Sequence, residues 1–165
     1  MRRRYCFFDY DGTLRSRALD AIPPSARAAL DKLRENGHFV ALATGRLQSD
    51  ALAVLAPQNI DTMVADGGNS ITIDGELVSI EGMPLAPSRA FVHRLDTNGW
   101  AWAVNHENAR ACLTRDERYA NLVSNLYYTP IIDPTLDIDT LDPIYKIFVP
   151  CKTGEERSID FTGVT

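Results

Sequence analysis

Apolar positions fall in short continuous runs near the amino terminus and give way, further on, to apolar residues interleaved with polar and aromatic ones. Tyr5-Cys6-Phe7-Phe8 is the first run, bounded by Arg4 and by Asp9-Tyr10-Asp11-Gly12. Such a run predicts a strand buried on both faces, as in a parallel sheet. Pro23-Pro24 predicts a helix start, since proline is tolerated in a first turn whose N–H groups lack partners anyway. Ala26, Ala29, Leu30 and Leu33 recur at helical spacing and define one face. Gly37 stands where a helix ends in a left-handed residue. Phe39 to Ala43 predicts a second strand, Leu47 to Leu55 a second helix stopped before Pro57, and Ile60 to Ala65 a third strand. Strand and helix alternate with short connections, which is the pattern of a doubly wound α/β domain.

The pattern changes after that. Ile71 to Ile73 and Leu77 to Ile80, around Asp74-Gly75-Glu76, predict a hairpin with an Asp-Gly turn. A helix at Pro87 to Leu95, strands at Trp100 to Val104 and Ala109 to Leu113, and a helix over Asp116 to Leu126 follow. A polar stretch then leads to a strand at Ile144 to Val149. Aromatics and Asp-Pro pairs are denser here, which predicts a separate small α/β unit. The expected boundary lies near Met83-Pro84, dividing the chain into 1–82 and 83–165.

Composition narrows the function classes. The 165 residues are 45% hydrophobic and 24% charged, enough to bury a core. Lys and Arg number 17 against 22 Asp and Glu, a formal charge of −5. That balance argues against a general nucleic-acid binder, whose phosphate contacts demand a basic surface. No apolar run approaches the ~20 residues of a membrane helix. Arg2-Arg3-Arg4 resembles the basic start of a signal peptide, but Asp9 interrupts the apolar run too early. Cys6, Cys112 and Cys151 are widely spaced and odd in number, neither a disulfide framework nor a zinc site. A reduced, cytoplasmic protein is the expectation. His38, His93 and His106 are not spaced like metal ligands.

The candidate chemistry sits in three polar clusters, each following a predicted strand: Asp9-Tyr10-Asp11-Gly12-Thr13, Thr44-Gly45-Arg46 and Asp66-Gly67-Gly68-Asn69. In open α/β sheets, ligands bind outside the carboxyl ends of the strands. Asp9 and Asp11 are two apart, so in extended chain they share a side. Close carboxylates repel unless a cation or a shared proton intervenes. Magnesium suits them, being held by one or two carboxylates with phosphate and water. A carboxylate facing a phosphate can also act as nucleophile, while its neighbour gives and takes protons. Gly12 lets the backbone approach a phosphate, and Thr13 offers a hydroxyl beside it. A helix–loop–helix calcium site, which would need further oxygen ligands and a closing Glu between two helices, is excluded, because a strand precedes these acids and Arg15 and Arg17 follow them.

These residues carry a resemblance. Phe7-Phe8-Asp9-Tyr10-Asp11-Gly12-Thr13-Leu14 resembles the first signature of the haloacid dehalogenase-like hydrolase superfamily, and Leu42-Ala43-Thr44-Gly45-Arg46 the second signature in its Cof-type phosphatase branch. Ala65-Asp66-Gly67-Gly68-Asn69 is similar to a loop of that branch. The resemblance implies a Rossmann-like three-layer core with a parallel sheet, over 1–82, and a partial α/β cap domain over 83–165. It further implies a phosphatase working through an aspartyl phosphate and Mg2+ on a small phosphorylated metabolite, of the sugar-phosphate or nucleotide class. Asp9 is then nucleophile and metal ligand. Asp11 is general acid/base and lends its main-chain carbonyl to the metal. Thr44 and the Gly45 N–H hold the phosphoryl group. Gly12, Thr13, Arg46 and Asn69 complete the expected phosphate and substrate contacts. The second Asp favours phosphoryl transfer over dehalogenation.

The superfamily has two further signatures, a lysine and a Gly-Asp-x-x-x-Asp-type loop, and neither is found in this chain. Lys146 falls in an apolar strand pattern and Lys152 precedes no helix. A catalytically impaired protein that binds a phosphate compound without turnover is therefore the rival expectation. Loss of the strand that in that superfamily normally follows the cap would leave an exposed edge beside the site, through which a homo-oligomer could form. A phosphate-accepting receiver domain also uses strand-end acids, but carries no further unit after its third strand. For Arg46 an ion pair is an equal alternative to substrate contact, and for Asn69 a loop cap. Asp66 reads as a turn cap. Tyr127 and Tyr128 read as packing residues, and of Trp100 and Trp102 one is expected to pack while the other faces the cleft or solvent.

Overall fold

The computed structural model describes residues 2–16, 21–123 and 128–163. The chain divides into two compact units, Met1–Ile80 and Glu81–Thr165. In the first, β1 (Tyr5–Phe8), β2 (Phe39–Ala43) and β3 (Met63–Ala65) run parallel, and the hairpin of β4 (Ser70–Ile73) and β5 (Glu76–Ile80) extends the sheet antiparallel, in the order β1-β2-β3-β4-β5. Helix α1 (Pro24–Glu35) links β1 to β2, and α2 (Gln48–Leu55) links β2 to β3. This is an α/β fold with a mixed sheet.

Local sequence explains most element ends. Pro24 occupies the first turn of α1, and Gly37 follows its end at φ 78°, where a side chain would be strained. Leu30 is buried, and Ala26 and Leu33 pack against the same core, but Ala29 on the expected face is exposed. Asp74 and Gly75 both have positive φ, as a two-residue hairpin turn requires. The core collects Leu42, Ala51, Leu55, Ile60 and Met63 from strands, helix and connections.

Burial of β1 differs from the expectation. Tyr5 and Phe7 are 66% and 55% exposed, because β1 is the last strand in the order and pairs with β2 alone among the described residues. The run was long enough and apolar enough for a central strand, but burial is conferred by neighbours. The third strand also begins later than predicted, at Met63, while Ile60 enters the core from the preceding connection.

In the second unit β6 (Ala103–Asn105), β7 (Ala111–Thr114), β8 (Thr129–Ile132) and β9 (Lys146–Phe148) form a sheet ordered β8-β7-β6-β9. Helix α3 (Leu85–Thr97) contributes Phe91, Val92 and Leu95 to a core with Trp102, Val104, Ile138 and Ile144. The helix expected from Asp116 is a single turn, α4 (Tyr119–Leu122). Its expected end at Leu126, and Tyr127, lie outside the described residues. Strand β8 falls in a stretch read as polar, because Pro130 within it suppresses the strand signal. Burial pushes the Cys112 thiol up to about 12, so it stays protonated as a core residue. Among the described residues no helix is long and apolar enough to cross a membrane.

Candidate functional site

β1 delivers two acids where it stops being a strand. Asp9 and Asp11 flank Tyr10, which is 1% exposed. The Tyr10 carbonyl accepts from the N–H groups of Thr13, Leu14 and Arg15 at 3.3, 3.1 and 2.9 Å, and so closes a tight turn. Gly12 sits in that turn at φ 87°, a left-handed value that costs an L side chain about 1–2 kcal/mol. Both carboxylates are exposed. The Thr13 hydroxyl donates to Asp9 Oδ2 at 3.0 Å.

Asp11 is held differently. Arg46 Nε donates to its Oδ2 at 2.7 Å, while Arg46 and Arg15 terminal nitrogens donate to Oδ1, each at 3.0 Å. The hydrogen bonds and charge of Arg46, helped by Arg15, hold the Asp11 carboxyl below the usual carboxylate range against the opposing effect of partial burial. The same contact raises the Arg46 guanidinium above its ordinary value. Arg46 also lies 5.1 Å over the Tyr10 ring and donates to Asp50 Oδ2 at 2.8 Å. Asp50 is fully buried in the first turn of α2. The sequence reading did not single out Asp50, and did not pair Arg15 with Asp11. The Arg46–Asp50 spacing of one helical turn was the available signal.

The second and third clusters are stitched together through main chain. Thr44 N–H donates to the Val64 carbonyl at 2.9 Å, Gly67 N–H to the Thr44 carbonyl at 3.3 Å, and Asp66 N–H to the Arg46 carbonyl at 2.8 Å. Thr44 is buried and its hydroxyl oxygen accepts from Arg46 N–H at 3.2 Å, which orients its own O–H for donation. Asp66 accepts from Gln48 N–H and from the Ser70 hydroxyl, both at 3.0 Å, and so satisfies the start of α2. Gln48 in turn donates to the Thr72 hydroxyl at 2.9 Å within the core. Asp66, Gly67 and Gly68 all have positive φ, so the third loop turns sharply and presents backbone. Ala43, Thr44, Val64, Gly67 and Gly68 line an open pocket of about 280 Å³. Gly45 and Asn69 are exposed on the same two loops.

Asp9, Asp11, Gly12, Thr13, Thr44, Gly45, Arg46 and Asn69 thus all follow the carboxyl ends of neighbouring strands of one sheet. The first loop is tied to the second by Arg46, and the second to the third by backbone hydrogen bonds. The other residues expected to be structural have local partners within their own units. His38 accepts from Arg4 N–H, His93 faces Asp139, and Tyr128 packs on Phe148 with its hydroxyl against that of Tyr119. Trp102 is buried and donates to Asp96, and Lys146 and Lys152 belong to the second unit.

The donor set is chemically compatible with magnesium. Asp9 offers a carboxylate that no arginine occupies among the described residues, and hard oxygen is what Mg2+ selects. The Asp11 carboxylate is engaged by the guanidiniums of Arg15 and Arg46. Among the described residues no group of three His, Cys, Asp or Glu side chains is placed to hold a metal by itself.

Solved structures similar to this chain include a hypothetical protein from Geobacillus kaustophilus HTA426 (24% identity, TM-score 0.70) and a haloacid dehalogenase-like hydrolase from Bacteroides thetaiotaomicron (17%, 0.75). A third is a sugar phosphatase of subclass IIB of that superfamily (19%, 0.71). Each similarity covers 96% of this chain and 62% of the other, so the chain spans less than two thirds of their length. A comparison with curated protein sequences gives no significant match. The family model for haloacid dehalogenase-like hydrolases matches residues 6–161, nearly the whole chain. On that match, and with the fold in agreement, the chain belongs to the haloacid dehalogenase-like hydrolase family.

Proposed function

We propose that this chain acts as a magnesium-dependent phosphomonoesterase of the Cof type, with a small phosphorylated metabolite such as a sugar phosphate or nucleotide as substrate. The observation that carries the reading is the convergence of Asp9, Asp11 and Thr44 on the carboxyl edge of one sheet, in loops tied to each other. Family membership and the similarity to a sugar phosphatase support it.

In this reading Asp9 attacks phosphorus, the P–O bond to the leaving group breaks, and an aspartyl phosphate forms on Asp9. Asp11 gives a proton to the leaving oxygen and then takes one from the water that releases phosphate. Thr44 donates its hydroxyl proton to a phosphoryl oxygen, and the backbone of the Gly12 turn lies open to the phosphate. Thr13 fixes one Asp9 oxygen and leaves the other to react. Magnesium, where bound by Asp9 and the Asp11 carbonyl, would neutralise charge on the phosphoryl group. The residues of 83–165 act as a partial cap that chooses the substrate.

A second reading has its own support: a chain that binds a phosphate compound without turning it over. Arg15 and Arg46 are both engaged by Asp11, and among the described residues no third acid joins Asp9 and Asp11 in a group placed to hold a metal. Magnesium-dependent phosphate release from a generic aryl phosphate, with Asp9→Asn as control, separates the two. Release that needs magnesium and falls to background in Asp9→Asn is the expected outcome. A folded wild-type chain releasing no more than the control would sink the enzyme reading and leave the binding one.

A further inference from the structure

The Arg46 guanidinium bridges two carboxylates in very different surroundings. One terminal nitrogen faces Asp50 at 2.8 Å, while Nε and the other face Asp11 at 2.7 and 3.0 Å. The Asp50 side chain has no exposure at all, whereas that of Asp11 is 42% exposed. A buried carboxylate needs polar partners, and Arg46 is one of them. The Arg46 side chain is itself only 11% exposed, and its face rests over the buried Tyr10 ring. Its direction is therefore fixed from inside the fold: α2 holds Asp50, Asp50 holds one edge of the guanidinium, and Tyr10 sets its plane. The remaining edge presents paired N–H groups to Asp11, a geometry that matches a carboxylate at two points.

We propose that Asp50 is a positioning residue for Asp11, acting through Arg46. The inference rests on the reading of Asp11 as the proton-handling carboxylate. Asp11 lies on a surface turn, and the local device that holds it besides Arg46 is Arg15, itself on that turn. Arg46 anchored on Asp50 ties that turn to the buried start of α2 and gives Asp11 one orientation. Without the Asp50 anchor, Arg46 and Asp11 stay paired but move together. Orientation of a reacting group then degrades while binding of the phosphoryl group by Thr44 is left in place.

Two measurements on the full chain test this. The first is hydrogen exchange of the Arg46 Nε–H proton, observed by NMR and assigned through its loss in Arg46→Lys. Asp50→Asn is expected to speed this exchange about 10-fold or more with the backbone amide spectrum retained. Asp50→Glu, which keeps the charge, should restore part of the protection. Should Asp50→Asn fail to fold, Asp50→Ser gives the same reading. Wild-type protection in a folded neutral variant overturns the proposal. The second measurement is aryl phosphate turnover, where Asp50→Asn should lower kcat about 10-fold with KM changed less than about two-fold. An unchanged kcat overturns the proposal. A wild-type chain that releases no phosphate counts against the proposed function alone, and the exchange measurement still decides whether Asp50 fixes Arg46.

Discussion

The Asp11 carboxylate receives N–H donors from two guanidiniums, and this favours its ionised form. In the unfolded chain those donors are gone, so the unfolded state binds the Asp11 proton more readily than the folded one. The contribution of the Asp11 contacts to stability is thus complete above the ordinary carboxylate pKa of about 4. It is lost as the pH falls through the lower folded value. Asp11→Asn is expected to flatten the pH dependence of unfolding below about pH 4, as read from urea melts on both proteins. An equally steep acid limb in the variant would show that other carboxylates govern it. The effect is small, since the pair is partly solvated. For catalysis the same contact favours the form that accepts a proton from water over the form that donates one.

Among the elements, β1 is the one whose surroundings matter most. Among the described residues it pairs with β2 alone and presents Tyr5 and Phe7 to solvent, and strands at a sheet edge can pair with other chains. Replacing both residues by lysine is expected to reduce concentration-dependent association in sedimentation velocity without loss of the far-ultraviolet dichroism of the fold. Association that is unchanged by the double substitution would place the contact elsewhere. The β1 boundaries were legible, because Arg4 and Asp9 bracket an apolar run. Its edge position was not, because pairing partners are distant in sequence. The β4–β5 hairpin was legible from Asp74-Gly75, whose turn chemistry is local. Strand β8 escaped for the opposite reason: its parallel pairing with β7 overrides the local signal of Pro130.

At the scale of the whole molecule there are two cores, one built on Leu42, Leu55 and Met63 and one on Phe91, Val92 and Val104. Every candidate site residue belongs to the first unit. Leu55 is fully buried there, and Leu55→Ala should cost about 2–5 kcal/mol through lost burial and a residual cavity. Hydrogen exchange is the measurement, and the loss of protection is expected to be largest in β1–β3 and α2. Protection lost evenly along all 165 residues would argue for one cooperative unit instead.

The order of strands and helices in the first unit, the hairpin and the three polar clusters were determined by the sequence itself. Each depends on neighbours within a few residues: apolar runs, helix-start prolines, turn glycines and acids at strand ends. The anchoring of Arg46 between Asp11 and a buried Asp50, the backbone ties between the second and third loops, and the exposure of β1 were decided only by the tertiary structure. Those features depend on which distant segments lie side by side. A charge pair between neighbouring strand-end loops, or a strand's place at the edge of a sheet, leaves no periodic mark along the chain.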